Sequence, residues 1–300
     1  MTGTHNRPYQ LDQDTELVQA ANQPSNEAIR AFTVEIKPDW RVIVGPNGGY
    51  IAAILHKGMS TTLQLDHTES DQALYARSLT IQFLNPSVPG AASLTVRCEK
   101  KTRRLAQLTA RLEQEGVTIA LGSAYFGTAR IPVDFRDQSM PKVAPPDQVP
   151  SEQWMSPDHP WYVPFRAQFE QCTVLGAVHP HQSDRALSGG WIRFKDRRSL
   201  DELGITTLSD AWYPSLTTKQ LDLSFHCPTL EHTVYFHGAV PDSDSTDFCL
   251  MVFEAPFSTD GFVEETGRIW SASGELLATT RQLAALTPWS DNHVKPPAAR

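Results

Sequence analysis

Hydrophobic and polar residues alternate along several short stretches of the chain, which is the pattern of half-buried β-strands. In the first half, this alternation and the prolines and glycines that bound it predict strands at 32–36, 78–83, 93–98, 105–113 and 117–126. After the first strand the apolar residues take up helical spacing, and we place a helix at 48–59. Residues 1–30 are polar and predict an arm with a short helix near 14–21.

The second half of the chain repeats this order of helix and strands. Apolar residues at helical spacing predict a helix at 200–212, for which Ser199 and Glu202 form a capping box. Alternation predicts strands at 191–194, 221–225, 233–238, 248–253, 263–270 and 276–286. The spacing of apolar residues in 77–86, together with its closing proline, recurs in 219–228, so the two halves form a weak internal repeat.

Closely spaced prolines separate the two halves. They exclude regular central strands, and the aromatic residues between them indicate a linker that packs down in places. The sequence therefore predicts an N-terminal repeat with its arm at 1–130, a proline-rich linker at 131–185 and a C-terminal repeat with a tail at 186–300. The predicted fold class is α+β: each helix covers one face of an antiparallel sheet, and the two sheets join into one continuous surface.

Composition and charge narrow the classes of partner. The net charge of -8 argues against nucleic-acid binding. The N-terminus lacks the apolar core of a signal peptide, and no stretch approaches about 18 apolar residues, so we expect no membrane partner. The four cysteines are scattered without a Cys-x-x-Cys motif, which favours reduced thiols and a cytoplasmic location.

The start of the helix at 48–59 offers a site for a polar group. Gly48 and Gly49 carry no side chain, so a ligand can approach free backbone N–H groups at the positive end of the helix dipole. Together with Tyr50 they are the candidate substrate-binding residues. The alternative is a core helix whose glycines only permit close packing.

Motifs of several other enzyme classes are absent from the sequence. It contains neither the Gly-x-Ser-x-Gly elbow of α/β-hydrolases nor a Gly-x-Gly-x-x-Gly or phosphate-binding loop. His226, His232 and His237 lie near one another but lack a recognised metal-ligand spacing. Exposed or core histidines are therefore a better explanation of these residues than a metal site.

The first half of the chain resembles the acyl-CoA thioesterase-like superfamily of double-hotdog proteins in two segments, 40–50 and 78–86. The first of these segments contains Gly48-Gly49-Tyr50. The second half is similar to it at 221–223, 261–265, 269–270, 274 and 277–283. The resemblance implies two hotdog folds, each a long helix wrapped by a curved antiparallel sheet. It also implies hydrolysis of a fatty or other acyl thioester without metal or organic cofactor.

The resemblance further implies a catalytic set: an Asp in the second helix, a Thr at the head of the next strand and a Gln on the last strand. Asp210 and Gln282 match the first and third, and Gln220 occupies the Thr position, so these three are the catalytic candidates. Thr217 and Thr218 lie close enough to substitute for the Thr and are further substrate-binding candidates. A carboxylate can activate a water as general base, and an amide can orient that water. The residues alone leave open a surface Asp210 and an edge-strand Gln282 that faces water.

Three functions on this fold are compatible with the sequence. The leading hypothesis is a thioesterase that hydrolyses an acyl-CoA or acyl-carrier thioester, with Asp222 as the next carboxylate to test after Asp210. A non-catalytic acyl-thioester binder is suggested by Gln220, and an acyl transferase or cyclase of secondary metabolism is the third. We expect a monomer or a homodimer, because one chain already supplies both hotdog units.

Overall fold

Twelve strands form one continuous sheet in the computed structural model of the chain. It describes residues 8–24, 26–66, 72–131, 133–159, 162–176, 183–219, 225–238 and 247–288. The first half contains α1 (Gln10–Asp14), β1 (Val18–Gln19), β2 (Ile29–Ile36), α2 (Gly48–Leu65), β3 (Tyr75–Phe83), β4 (Gly90–Thr102), β5 (Leu105–Gln114) and β6 (Val117–Gly127). The second half contains β7 (Phe169–Gly176), β8 (Leu187–Phe194), α3 (Glu202–Leu208), β9 (Phe225–His226), β10 (Thr229–Phe236), β11 (Cys249–Thr259), β12 (Phe262–Trp270), β13 (Leu276–Ala285) and β14 (Thr287–Pro288). Short 3₁₀ turns occur at Pro38–Trp40, Pro146–Gln148, Ser151–Gln153, Pro164–Gln168 and Ser215–Thr218.

The two halves meet at a seam within the sheet. The strand order is β1-β2-β4-β5-β6-β3-β10-β13-β12-β11-β8-β7, so the first six strands come from the first half and the last six from the second. At the seam β3 pairs antiparallel with β10, with Leu79 opposite Val234. The hydroxyls of Thr80 and Thr233 lie 2.9 Å apart across it. The predicted α+β fold, with two repeats in one continuous sheet, is confirmed.

Helix α2 runs through the core of the first repeat. Asn47 is its N-cap and accepts a hydrogen bond from the Tyr50 N–H at 3.1 Å. The helix continues six residues beyond the predicted end at 59, and most of its residues are buried between the strands of its own repeat and α3. On the face towards β4 the helix has Gly58, which has no side chain. A Cβ at this position would lie 3.1 Å from a methyl of Val96, so the glycine allows the helix and the strand to pack closely.

Helix α3 begins later and ends earlier than the sequence predicts. Its N-cap is Asp201, whose carboxylate accepts the Gly204 N–H at 2.7 Å, so the predicted capping box of Ser199 and Glu202 is wrong. Asp and Ser cap helices equally well, and the local sequence does not distinguish them. The Glu202 carboxylate instead accepts the backbone N–H of Ala76 in β3 at 3.0 Å, which ties α3 to the first repeat.

Three further segments differ from the prediction. The helix of the N-terminal arm lies at Gln10–Asp14, before the predicted 14–21. The proline-rich segment 131–185 contains β7, the last strand of the sheet, which pairs with β8 on one side and forms an isolated bridge between Cys172 and Trp154 on the other. The prolines precede this strand and do not interrupt its ladder with β8. The counterpart of β3 is β10, which starts after Pro228; most of the strand predicted at 221–225 lies outside the described residues. No helix in the described ranges combines the length and the apolar character needed to cross a membrane.

Candidate active site

Asp210 follows the end of α3 and faces the N-terminus of α2. The backbone N–H of Gly49 donates to Oδ2 of Asp210 at 3.1 Å. The side-chain amide of Asn47 donates to the same oxygen at 3.1 Å and to the backbone carbonyl of Asp210 at 2.8 Å. The first repeat therefore holds both the side chain and the backbone of this residue of the second repeat.

The pKa of the Asp210 carboxyl is raised from 3.8 to about 7. Burial is the largest cause, because it penalises the charged form, and the negative charge of Glu265 acts in the same direction. The N–H groups of Gly49 and Gly48 and the amide of Asn47 lower the pKa in part. A carboxyl with a pKa near neutrality exchanges a proton readily at physiological pH, as a general base must.

The glycine pair at the start of α2 lets the carboxylate come this close. A Cβ at Gly48 would lie 2.7 Å from Oδ2 of Asp210 and 3.1 Å from Cζ of Phe83. A Cβ at Gly49 would collide with the backbone carbonyl of Thr207 in α3. The glycines therefore permit close packing, of Gly48 against the Asp210 carboxylate and of Gly49 against the backbone of α3.

A second carboxylate, Glu265 on β12, is buried and fully engaged in hydrogen bonds. Its Oε2 accepts from the backbone N–H and the hydroxyl of Ser215, each at 2.5 Å. Its Oε1 accepts from Nε2 of Gln282 on β13 at 2.6 Å. Oε1 of Gln282 in turn accepts from the Thr229 hydroxyl at 3.2 Å. Burial raises the pKa of Glu265, and the bonds from Ser215 and Gln282 offset part of that rise.

Asp210, Glu265 and Gln282 line one cavity of about 470 Å³. Most of its wall is apolar, with side chains from both repeats that include Ile51, Phe83, Ile119, Trp212, Phe225 and Val263. A largely apolar enclosure with a few polar groups at one place binds a hydrocarbon chain and fixes one functional group of it. No cluster of His, Cys, Asp and Glu suited to a metal ion occurs in the described parts of the chain.

Two family profiles match the chain. The profile of the acyl-CoA thioesterase N-terminal domain matches residues 36–127, and that of the acyl-CoA thioesterase C-terminal domain matches residues 141–286. The chain belongs to the acyl-CoA thioesterase family. The resemblance inferred from the sequence is thereby confirmed. The C-terminal match begins inside the segment 131–185, so this thioesterase domain includes β7.

Solved structures share the fold over nearly the whole chain. A hot dog protein of unknown function from Alicyclobacillus acidocaldarius is 24% identical with a TM-score of 0.80, and the match covers 95% of this chain and 100% of that one. An acyl-CoA thioesterase II from Mycobacterium marinum is 17% identical with a TM-score of 0.66, over 93% of this chain and 99% of that one. At these identities the likeness shows the fold, which is the double hotdog. A search of curated proteins gave no match.

The thioesterase fold brings some of the predicted site residues together and separates others. Tyr50 belongs to the core: its ring stacks on Trp40 at 4.8 Å, and its hydroxyl donates to the backbone carbonyl of Asp14 at 2.7 Å. Thr217 lines the cavity. Thr218 is buried beside it and donates its hydroxyl to backbone carbonyls, one at 2.7 Å. Gln220 and Asp222 lie outside the described residues.

Two charged residues of the cavity had no role in the sequence prediction. Glu265 shares the inward parity of Val263 and Ile269 on β12, so strand alternation marks it as a carboxylate in the core. Arg166 also lines the cavity. It lies in the proline-rich segment, where no periodicity indicates which side chains are buried.

Proposed function

We propose that this chain hydrolyses acyl-CoA or a related acyl thioester with a water activated by Asp210. The observation that carries the proposal is the Asp210 carboxyl itself, which has a pKa raised to about 7 and stands in the wall of an apolar cavity. The acyl chain occupies the apolar part of this cavity, and its thioester lies beside the carboxylate. Membership of the acyl-CoA thioesterase family supports thioester chemistry in general.

The reaction needs a single proton acceptor. Oδ2 of Asp210 already accepts from Gly49 and Asn47, and Oδ1 receives the proton of the water. The water oxygen attacks the thioester carbonyl carbon and forms a tetrahedral oxyanion. When the oxyanion collapses, the C–S bond breaks and the thiolate takes the proton back from Asp210. The products are a free carboxylic acid and a free thiol.

Gln282 orients the water in this proposal. Its amide is held at both ends, by Glu265 at Nε2 and by Thr229 at Oε1, and the second N–H of Nε2 is left to donate to the water. An amide fixed in this way positions the water, and it does not accept the proton of the water. Glu265 keeps the Asp210 carboxyl basic through its negative charge.

One contact favours a non-catalytic acyl-thioester binder as the second candidate. The oxyanion of hydrolysis needs donors already in place, and backbone N–H groups at a helix start are suitable donors. The Gly49 N–H at the start of α2 is occupied by Asp210. Gln220, in the position where the family carries Thr, agrees with this candidate.

Thiol release separates the two functions. The purified chain is incubated with a panel of acyl-CoAs and free thiol is measured, beside Asp210→Asn and the exposed control Asp147→Asn. If the chain is a hydrolase, the rate of thiol release falls about 10²–10⁴-fold in Asp210→Asn, because general-base assistance usually contributes a factor of that size. The control releases thiol at the rate of the parent. A parent protein that binds the acyl-CoAs and releases no thiol is a binder, and an Asp210→Asn variant at the parent rate removes Asp210 from the mechanism.

A further inference from the structure

Arg166 is a buried guanidinium in the wall of the same cavity. It lies on the 3₁₀ turn Pro164–Gln168, only 4% of it is exposed, and its guanidinium stands 5.2 Å from the ring centre of Phe165 and 5.7 Å from that of Tyr213. Its surroundings are therefore aromatic and apolar, where an ionised group is expensive. Burial lowers its pKa to about 10, which still leaves the side chain charged at neutral pH.

Among the described residues, the other buried arginine has a different environment. Arg198 is 7% exposed and pairs with Asp12 and Asp201, each at 2.8 Å. Arg166 has no carboxylate within ion-pair distance among the described residues; its one hydrogen bond runs from Nη1 to the neutral amide oxygen of Gln171 at 2.9 Å. Buried charges are normally paired, so Arg166 has the environment of a group whose partner arrives with a ligand.

The unused part of this guanidinium has a defined shape. Nε is buried and has no hydrogen-bond partner, and Nη2 makes no bond to a described residue. Nε–H and Nη2–H lie on the same edge of the planar group, parallel to each other. That edge matches the two oxygens of a carboxylate in a bidentate pair.

We propose that Arg166 binds a carboxylate at the far end of the acyl group, so that the preferred substrates are thioesters of dicarboxylic acids. This inference rests on the proposed function, since it assigns the acyl chain of the same site. Asp210 and Arg166 line one cavity, and a chain with a thioester at one end and a carboxylate at the other satisfies both. The apolar wall between them covers the methylene groups.

The phosphates of CoA are the other anions that such a substrate carries. They are strongly hydrated and multiply charged, whereas Arg166 is one buried cation beside the rings of Phe165 and Tyr213. A single carboxylate on an apolar chain loses less hydration on entering this place. Thioesters of N-acetylcysteamine, which contain no phosphate, separate the two sources.

The test compares acyl groups of equal length. The kcat/KM values for adipyl-CoA and suberyl-CoA are divided by those for hexanoyl-CoA and octanoyl-CoA, in the parent, Arg166→Met, Arg166→Lys and the exposed control Arg130→Met. We expect ratios above one in the parent and the control, and a fall of about 10–100-fold in Arg166→Met, the range of a hydrogen-bonded charge pair. Arg166→Lys keeps the positive charge and lacks the two parallel N–H groups of the guanidinium. Its ratio is therefore expected to lie between those of the parent and Arg166→Met.

Two outcomes overturn the inference. One is a parent that prefers the monocarboxylic acyl groups, and the other is a ratio that is unchanged in Arg166→Met. An Arg166→Met variant that loses rate equally on adipyl-CoA and hexanoyl-CoA, and keeps the parent rate on the N-acetylcysteamine thioesters, assigns Arg166 to the CoA phosphates and also overturns it. Folding is followed by thermal melting: Arg166→Met replaces an unpaired charge and keeps the melting temperature, while Arg198→Met leaves Asp12 and Asp201 unpaired and lowers it.

Binding is measured separately, so that a failure of hydrolysis does not decide this question. Calorimetry uses analogues of adipyl-CoA and hexanoyl-CoA in which a methylene group replaces the thioester sulfur. The parent binds the adipyl analogue at least about tenfold more tightly, and Arg166→Met loses that difference. A chain that shows this selectivity and releases no thiol retains the inference and refutes the hydrolase. A chain that hydrolyses thioesters without this selectivity retains the hydrolase and refutes the inference about Arg166.

Discussion

The N–H of Gly49 donates to Oδ2 of Asp210 across 161 positions of sequence, from the helix of one repeat to the second residue after the helix of the other. The carboxylate and the backbone that holds it thus come from different halves of the chain. The hydrogen bonds that hold the Asp210 carboxylate therefore depend on how closely the start of α2 approaches the end of α3. The start of α2 is consequently the place where a small change has a large effect.

Gly48→Ala is expected to lower turnover while the fold is kept. The new methyl group would lie 2.7 Å from Oδ2 of Asp210, so the carboxylate must move, and a displacement of that kind costs about 10²-fold in rate. Gly49→Ala is the contrasting variant, because its methyl group meets the rigid backbone carbonyl of Thr207. Thiol release and thermal melting together check this: Gly48→Ala loses activity, and Gly49→Ala loses melting temperature. Equal effects of both variants on both measurements would contradict it.

Asp210→Asn is expected to stabilise the fold at alkaline pH and not at acid pH. The folded pKa of Asp210 is about 7 and the ordinary value is 3.8, so between them the folded protein holds a proton that the unfolded chain has released. Stability therefore falls as pH rises through that interval and stays low above it. The amide has no proton to lose, and its advantage at pH ~8 has an upper bound of about 4 kcal/mol. Melting curves at pH ~4 and pH ~8 test this, and an equal difference between variant and parent at both values refutes it.

Glu265→Gln is expected to move the pH profile of hydrolysis towards acid. The rate rises with pH as Asp210 loses its proton, with an apparent pKa of about 7, and the charge of Glu265 contributes to that value. Removal of the charge lowers the pKa of Asp210, so the rising limb of kcat/KM shifts to lower pH. Glu264→Gln is the matched control, since this neighbour pairs with Arg281 at 2.7 Å on the opposite, exposed face of β12. A limb that stays in place in Glu265→Gln, or moves equally in the control, would exclude the coupling.

Gln282→Ala is expected to lose less activity than Asp210→Asn. The amide orients the water without taking its proton, so its loss costs about 10–100-fold, the worth of a hydrogen bond to a charged group. The variant also removes the donor to Oε1 of Glu265, and the melting temperature falls with it. Arg281→Ala, at the adjacent exposed position of β13, serves as the control. A Gln282→Ala variant with the parent rate would show that the water is oriented by another group.

The sequence predicts most strands and the long helix because period-two alternation and helical spacing are local properties of the chain. The start of α3 could not be predicted in the same way. Ser199 and Asp201 are equally good caps, and the choice is made by Arg198, which pairs with the Asp201 carboxylate at 2.8 Å. That guanidinium is itself held by Asp12, from the other end of the chain.

The candidate site depends even more on distant contacts. The spacing of apolar residues leaves Asp210 as either a surface or a buried residue, and its environment is decided by Asn47 and Gly49 in the other repeat. Family resemblance singled out Asp210 and Gln282. Glu265 was not predicted, although alternation along β12 is enough to place its side chain in the core. Arg166 had no such signal, since the turn that carries it has no repeating pattern.

The two repeats start their helices with different residues, and this difference has an evolutionary consequence. In a dimer of identical subunits each substitution appears at both symmetry-related places at once. A gene that encodes both units in one chain is free of that constraint. Here α2 keeps two glycines next to Asp210, while α3 begins with Glu202, whose carboxylate binds the Ala76 N–H. A substitution that specialises one half therefore leaves the sequence of the other half unchanged.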